Sequence, residues 1–188
     1  MQKTNLSRHS FEGEPYPINT HDGKFYCYSE ILEAGIRELN SMLIWHSKVL
    51  AIRLDIHPNE NTKLNSNISL FVDNLKKFIM RTYSTKRVGY VWVRETSTSK
   101  NQHYHLHIFV DGNKVQTSYK INNFVKRYFD GKRSSYHFPK DCYKMTFRAD
   151  KDSIHEVIYR FSYLAKVNTK CLVDKNVRNY SSSRVKCF

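Results

Sequence analysis

At 188 residues the chain is long enough for one domain with tails and for a hydrophobic core that needs no disulfide or metal staple. Lys and Arg outnumber Asp and Glu by 31 to 17, a formal net charge of +14, while hydrophobic residues make up 40%. That balance excludes a disordered chain and biases partners toward polyanions. No apolar run reaches the roughly 18 residues of a membrane span, and the opening MQKTNLSRHSFEGEPYPINT lacks the apolar core of a signal peptide. The expected setting is therefore cytoplasmic, with nucleic acid rather than membrane as partner. Cys27, Cys142, Cys171 and Cys187 form no CxxC pair, which argues against a zinc ribbon and for reduced thiols. Aromatic residues, 13 of them Tyr, reach 14% and suit stacking on unpaired bases, although most aromatics in any domain belong to its core.

Residues 1–26 are polar and turn-rich and read as a lead-in arm. A helix is predicted over 29–47, with Ile31, Leu32, Ile36, Leu39, Met42 and Leu43 at helical spacing. VLAIRLDIH, 49–57, reads as a strand stopped by Pro58, and PNENTKLNSN as a loop. Ile68, Phe71, Leu75, Phe78 and Ile79 mark an amphipathic helix ending near Thr82. VGYVWVRE (88–95) and HYHLHIFV (103–110) read as a hairpin across a polar turn, closed by Asp111-Gly112. Ser118 is placed to cap a helix carrying Ile121, Phe124, Val125 and Tyr128, with Gly131 after it. CYKMTFR, 142–148, reads as a further strand. Ser153-Ile-His-Glu156 has the form of a capping box that opens a helix to about Val167. The basic, Ser-containing end reads as a partly ordered tail. The order β-α-β-β-α-β-α after the first helix predicts an α+β fold, a ferredoxin/RRM-like antiparallel sheet (β-α-β-β-α-β) with a flanking N-terminal helix and a C-terminal catalytic helix.

The densest chemical signal is His103-Tyr-His105-Leu-His107. Alternate residues of a strand share a face, so the three imidazoles should point one way. Glu95, at the end of the preceding strand, falls close to them if the hairpin forms. Two imidazoles and a carboxylate with open positions suit a divalent metal, Mg²⁺ or Mn²⁺. A His-rich strand can equally be an ordinary solvated surface strand. The second signal is Tyr159, Tyr163 and Lys166, spaced to share one helical face. Alone it is equally an amphipathic core face with a lysine reaching solvent. Together the two signals suit phosphoryl transfer: a phenol is a poor nucleophile at neutral pH and needs nearby cations.

RLDIHP, then VWVRE, then HYHLHIFV, then Tyr159-RFS-Tyr163-LAK, in that order over roughly 45–170, resemble the motifs of HUH endonucleases, and more narrowly those of inovirus-type replication initiators and their prophage-encoded relatives. The resemblance implies a domain layout of an N-terminal arm (1–26), an HUH endonuclease domain (27–168) and a basic C-terminal tail (169–188). It implies Glu95, His103 and His105 as metal ligands, with the register His105/His107 as the other fit. It implies Tyr163 as nucleophile, Tyr159 as a second tyrosine, and Lys166 as the charge-stabilising lysine. Ser162 stands where some two-tyrosine relatives carry lysine. Asp55 and His57 match the first motif without an assigned role beyond a structural one near the sheet edge.

The expected function is that of a rolling-circle replication initiator-like endonuclease. It would nick and rejoin single-stranded or hairpin DNA through a 5′-phosphotyrosine, leaving a 3′-hydroxyl for the host polymerase. The chain has no GxxxxGK[ST] loop, so any helicase would be the host's. Lys126, Arg127, Lys132, Arg133, Lys170, Lys175 and Arg178 are the candidate contacts to the phosphate backbone. The rivals are a non-catalytic prophage DNA-binding protein of the same fold, a single-tyrosine HUH transposase, and an RRM-like RNA-binding domain. The last would need exposed aromatics on the sheet face.

Overall fold

A computed structural model describes residues 1–62, 64–96, 102–167 and 177–186. The N-terminal segment forms β1 (Lys3–Thr4), the hairpin β2 (Arg8–Phe11) and β3 (Glu14–Pro17), and β4 (Cys27–Tyr28). The hairpin turns through Glu12 and Gly13, both at positive φ, the twist that two-residue hairpins require. The helical spacing of apolar residues then gives α1 (Ser29–Trp45), followed by β5 (Lys48–His57), α2 (Ser66–Thr82), β6 (Val88–Thr96), β7 (Gln102–Asp111) and α3 (Tyr119–Phe129). The short strand β8 (Ser135–His137), β9 (Tyr143–Phe147), α4 (Lys151–Ser162), a 3₁₀ turn (Tyr163–Ala165) and β10 (Tyr180–Ser182) complete the order.

The main sheet is antiparallel throughout, in the order β10-β6-β7-β5, with β8 and β9 sharing the far edge of β5. Period-two alternation sorts its side chains into two layers. Leu50, Ile52, Leu54, Trp92, Tyr104, Leu106 and Ile108 pack with α2 and α3. Val49, Ala51, Val91, Val93 and Phe109 pack with α1 and α4. The chain is thus mixed α+β, with helices on both faces of the sheet. No helix among the described residues is long and apolar enough to cross a membrane.

Three expectations change. The lead-in arm is part of the domain: Phe11, Tyr16 and Ile18 are buried with α1 and α4, and Asn19 N–H donates to Ser162 Oγ at 2.8 Å. Part of the tail is a strand, β10, which pairs with β6, while Glu38 on α1 accepts from Ser183 Oγ and Arg184 N–H. The cap of α4 is Asp150, not Ser153. Its carboxylate accepts from the backbone N–H groups of Asp152 (3.1 Å) and Ser153 (3.2 Å), and Ser153 Oγ donates to the Asp150 carbonyl instead.

The placement of α4 depends on Gly35. A β-carbon at position 35 would overlap the Phe161 ring, so the missing side chain lets α4 close down on α1. That contact fixes the segment that carries Tyr163.

Candidate functional site

The hairpin forms as expected, with Glu95 directly opposite His103. On the other side of β7, β5 brings Arg53 opposite His107 and Asp55 opposite His105. His103, His105 and His107 therefore share the face covered by α1 and α4, but they enter three different environments.

His105 is at the centre. Its Nδ1 lies 2.7 Å from Asp55 Oδ1 and its Nε2 lies 2.7 Å from Glu95 Oε2. Burial would push the imidazole down, but hydrogen bonds and charge from Asp55 and Glu95 outweigh it and hold the ring above its usual range. A carboxylate oxygen thus stands at each ring nitrogen. Burial likewise opposes the charge on Asp55, but the hydrogen bonds from His105 and Arg53 prevail and keep its carboxyl well below the usual range. Arg53 binds that carboxylate in a fork, Nε at 3.1 Å and a terminal nitrogen at 3.0 Å.

His103 is turned toward His57, ring centroids 4.3 Å apart. Burial and the charge of His103 push His57 down. His107 is 4% exposed and packs edge-on to Phe161 at 5.3 Å. Neither of its ring nitrogens has a hydrogen-bond partner. Burial, reinforced by Arg53, depresses it to about 3, so it is neutral.

Tyr163 closes the site. Its ring stands perpendicular to that of His105 with centroids 6.3 Å apart. The Arg53 guanidinium lies 4.8 Å from the ring centre and Lys166 Nζ 4.6 Å. The predicted helical face does not produce this arrangement. The helix α4 ends at Ser162, whose Oγ donates back to the Tyr159 carbonyl. Tyr163 begins a 3₁₀ turn, and Lys166 is extended, bridging Cys27. Lys166 is buried, which lowers its pKa. Tyr163 is 42% exposed and Tyr159 44%, so both phenols reach solvent.

Among the described residues, no group of three or more His, Cys, Asp or Glu side chains converges at metal-ligating geometry. Glu95 and His105 are in contact, and the third expected donor, His103, has its ring turned to His57. The basic residues divide by layer. Lys126, Arg127, Lys132 and Arg133 lie on or just after α3, across the sheet from Tyr163, and are exposed. Lys132 rests on the Tyr128 ring at 3.3 Å. Arg178 is exposed near α2, its carbonyl accepting from Asn65. Lys170 and Lys175 lie outside the described residues, as do Cys171 and Cys187; Cys142 is a half-buried free thiol. The functional reading of the sequence missed Arg53 and Asp55. Their signal was present, since Arg53, Asp55 and His57 alternate along one face of β5 as the histidines do along β7.

Fold and site define an α+β chain with a buried acid–histidine–acid cluster beside a cation-flanked, solvent-reaching tyrosine. A family model for the YagK/YfjJ C-terminal domain matches residues 11–183, and the chain belongs to that family. The comparisons with curated proteins and with solved structures return no match.

Proposed function

We propose that the protein is a metal-dependent endonuclease that nicks and rejoins single-stranded DNA through Tyr163. The observation that carries this reading is the seating of Tyr163 over His105, between the cations of Arg53 and Lys166. The order β9-β5-β7-β6, with a helix in each crossover, supports the ferredoxin-like form of the sheet.

Glu95, His105 and His103 would hold the divalent ion. Glu95 and His105 already face each other at 2.7 Å, and Asp55 fixes the His105 ring through its other nitrogen, the usual outer partner of a ligating histidine. His103, paired across the ladder with Glu95, would be the third donor. His107, packed on Phe161, is the poorer choice, which favours the His103/His105 register. When bound, Mg²⁺ or Mn²⁺ would polarise the scissile phosphate.

The chain's own residues do the rest. Tyr163 Oη attacks phosphorus and the bond to the 3′ oxygen breaks. The phenol gives up its proton to solvent and the leaving oxygen takes one from solvent, which leaves a 5′-phosphotyrosine and a 3′-hydroxyl. Lys166 and Arg53 favour negative charge on the phenol oxygen and on the phosphate. Asp55 neutralises Arg53 in part and locks His105. Reversal of the same step rejoins the strand. Tyr159, one turn earlier and exposed, is assigned no step. Helices on both faces of the sheet disfavour an RRM-like RNA-binding surface. A cytoplasmic setting accords with this activity.

The test is nicking of circular single-stranded DNA pools with Mn²⁺ or with EDTA. Metal-dependent nicks lost in Glu95→Gln and His105→Ala support the reading. DNA binding without nicks or metal affinity would favour the non-catalytic DNA-binding protein.

A further inference from the structure

Beside Tyr163 a cleft of about 210 Å³ opens between β5, β9, α4 and the segment before β9. Four of its lining residues are cations, Arg53, Lys140, Lys144 and Arg160, and none is a carboxylate. Two of these charges are balanced from outside the lining: Arg53 by Asp55, and Lys144 by Glu156 at 2.6 Å. Lys140, exposed, and Arg160, which reaches the Asp141 carbonyl, sit at the rim. The exposed rings of Tyr143 and Tyr163 line the same opening.

The inner wall holds His107. A buried imidazole with two unpartnered nitrogens destabilises the fold unless something meets it. Its ring neighbours include Phe109 and Phe161, and the space it borders is the cleft. Its two ring nitrogens are hydrogen-bonding groups left for a ligand in the cleft to meet.

An orphaned hydrogen-bonding ring at the back, aromatic faces at the mouth and uncompensated cations at the rim together match one ligand class. A nucleotide has an edge with donors and acceptors, a face that stacks, and a phosphate. The volume admits a single base and excludes a duplex. We infer that this cleft receives one nucleotide of single-stranded DNA adjoining the scissile phosphate, with its base edge on His107, its face against Tyr143, and its phosphate on Lys140 and Arg160. The placement beside the nucleophile rests on the nickase reading; the pocket itself does not. It would give the enzyme a base preference next to the cut and would hold the strand in line with Tyr163.

The test separates the two. Fluorescein-labelled short single strands of mixed sequence are titrated by anisotropy in EDTA, in intact and abasic forms, against wild type, His107→Leu and the double variant Lys140→Ala/Arg160→Ala. The double variant should bind about ten-fold more weakly, with a shallower salt dependence. Wild type should prefer intact over abasic strands, and His107→Leu should lose that preference. Variants that bind and discriminate as wild type does would overturn the pocket, even if wild type forms nicks with Mn²⁺. A pocket-dependent preference with no nicks under any metal would uphold the site and remove the nickase reading.

Discussion

Asp55 Oδ1 lies 2.7 Å from His105 Nδ1, and the same carboxylate takes a forked pair of hydrogen bonds from Arg53. One buried acid thus orients the central histidine and the guanidinium that faces Tyr163. Asp55→Asn should weaken Mn²⁺ binding about 10–100-fold, the usual cost of losing an outer partner. Isothermal calorimetry reads it. An unchanged affinity would show that His105 needs no orienting group.

His105 holds a proton between Asp55 and Glu95, and its pKa is raised. A metal ion at Nε2 must displace that proton. Apparent affinity should therefore rise with pH until the ring is neutral, and binding should release protons. Calorimetry in buffers of differing ionisation heat counts them. In Asp55→Asn the proton is held less tightly, so the pH dependence should shift to lower pH.

His107 carries a second pH signature. Its folded pKa is depressed to about 3, while an unfolded histidine titrates near ~6.5. As pH falls below the latter value, the unfolded chain takes up a proton that the folded chain refuses. Stability therefore declines toward acid, by at most about 1.4 kcal/mol per pH unit from this group. Urea titrations from neutral to mildly acid pH should show His107→Leu losing less stability than wild type, and being no less stable at neutral pH. Parallel declines would mean that the ring is not held neutral.

Gly35 and Phe161 set the distance between α1 and α4. Gly35→Ala should cost about 1–3 kcal/mol through overpacking. By displacing Tyr163, it should also lower the nicking rate more than DNA affinity. Adding Phe161→Leu should recover part of both. Full activity in Gly35→Ala would show that α4 is not positioned by this contact.

Much of the site was legible because it lies on strands. Period-two alternation put the three histidines on one face, and antiparallel pairing of β6 with β7 put Glu95 opposite His103. The role of Asp55 was hidden because it depends on β5 lying next to β7, a long-range pairing that local pattern does not specify. The spacing of Tyr159, Tyr163 and Lys166 suggested one helical face, but Ser162 bonds back to Tyr159 and the chain leaves the helix there. Lys166 reaches the tyrosine from an extended segment instead. Ser153 had the capping-box pattern, yet Asp150, whose carboxylate accepts two backbone N–H groups, took the cap. The burial of Phe11, Tyr16 and Ile18 was masked by their polar neighbours.

The most direct test of the central claim is to trap and map a covalent adduct. Wild type, Tyr163→Phe and Tyr159→Phe are incubated with labelled single-stranded DNA pools and Mn²⁺, resolved on denaturing gels, and the linked peptide is sequenced by mass spectrometry. The expected result is an adduct on Tyr163 that needs metal, survives Tyr159→Phe and is absent from Tyr163→Phe. An adduct that persists in Tyr163→Phe, or a wild type that binds the DNA and metal yet never becomes linked to a strand, would contradict it.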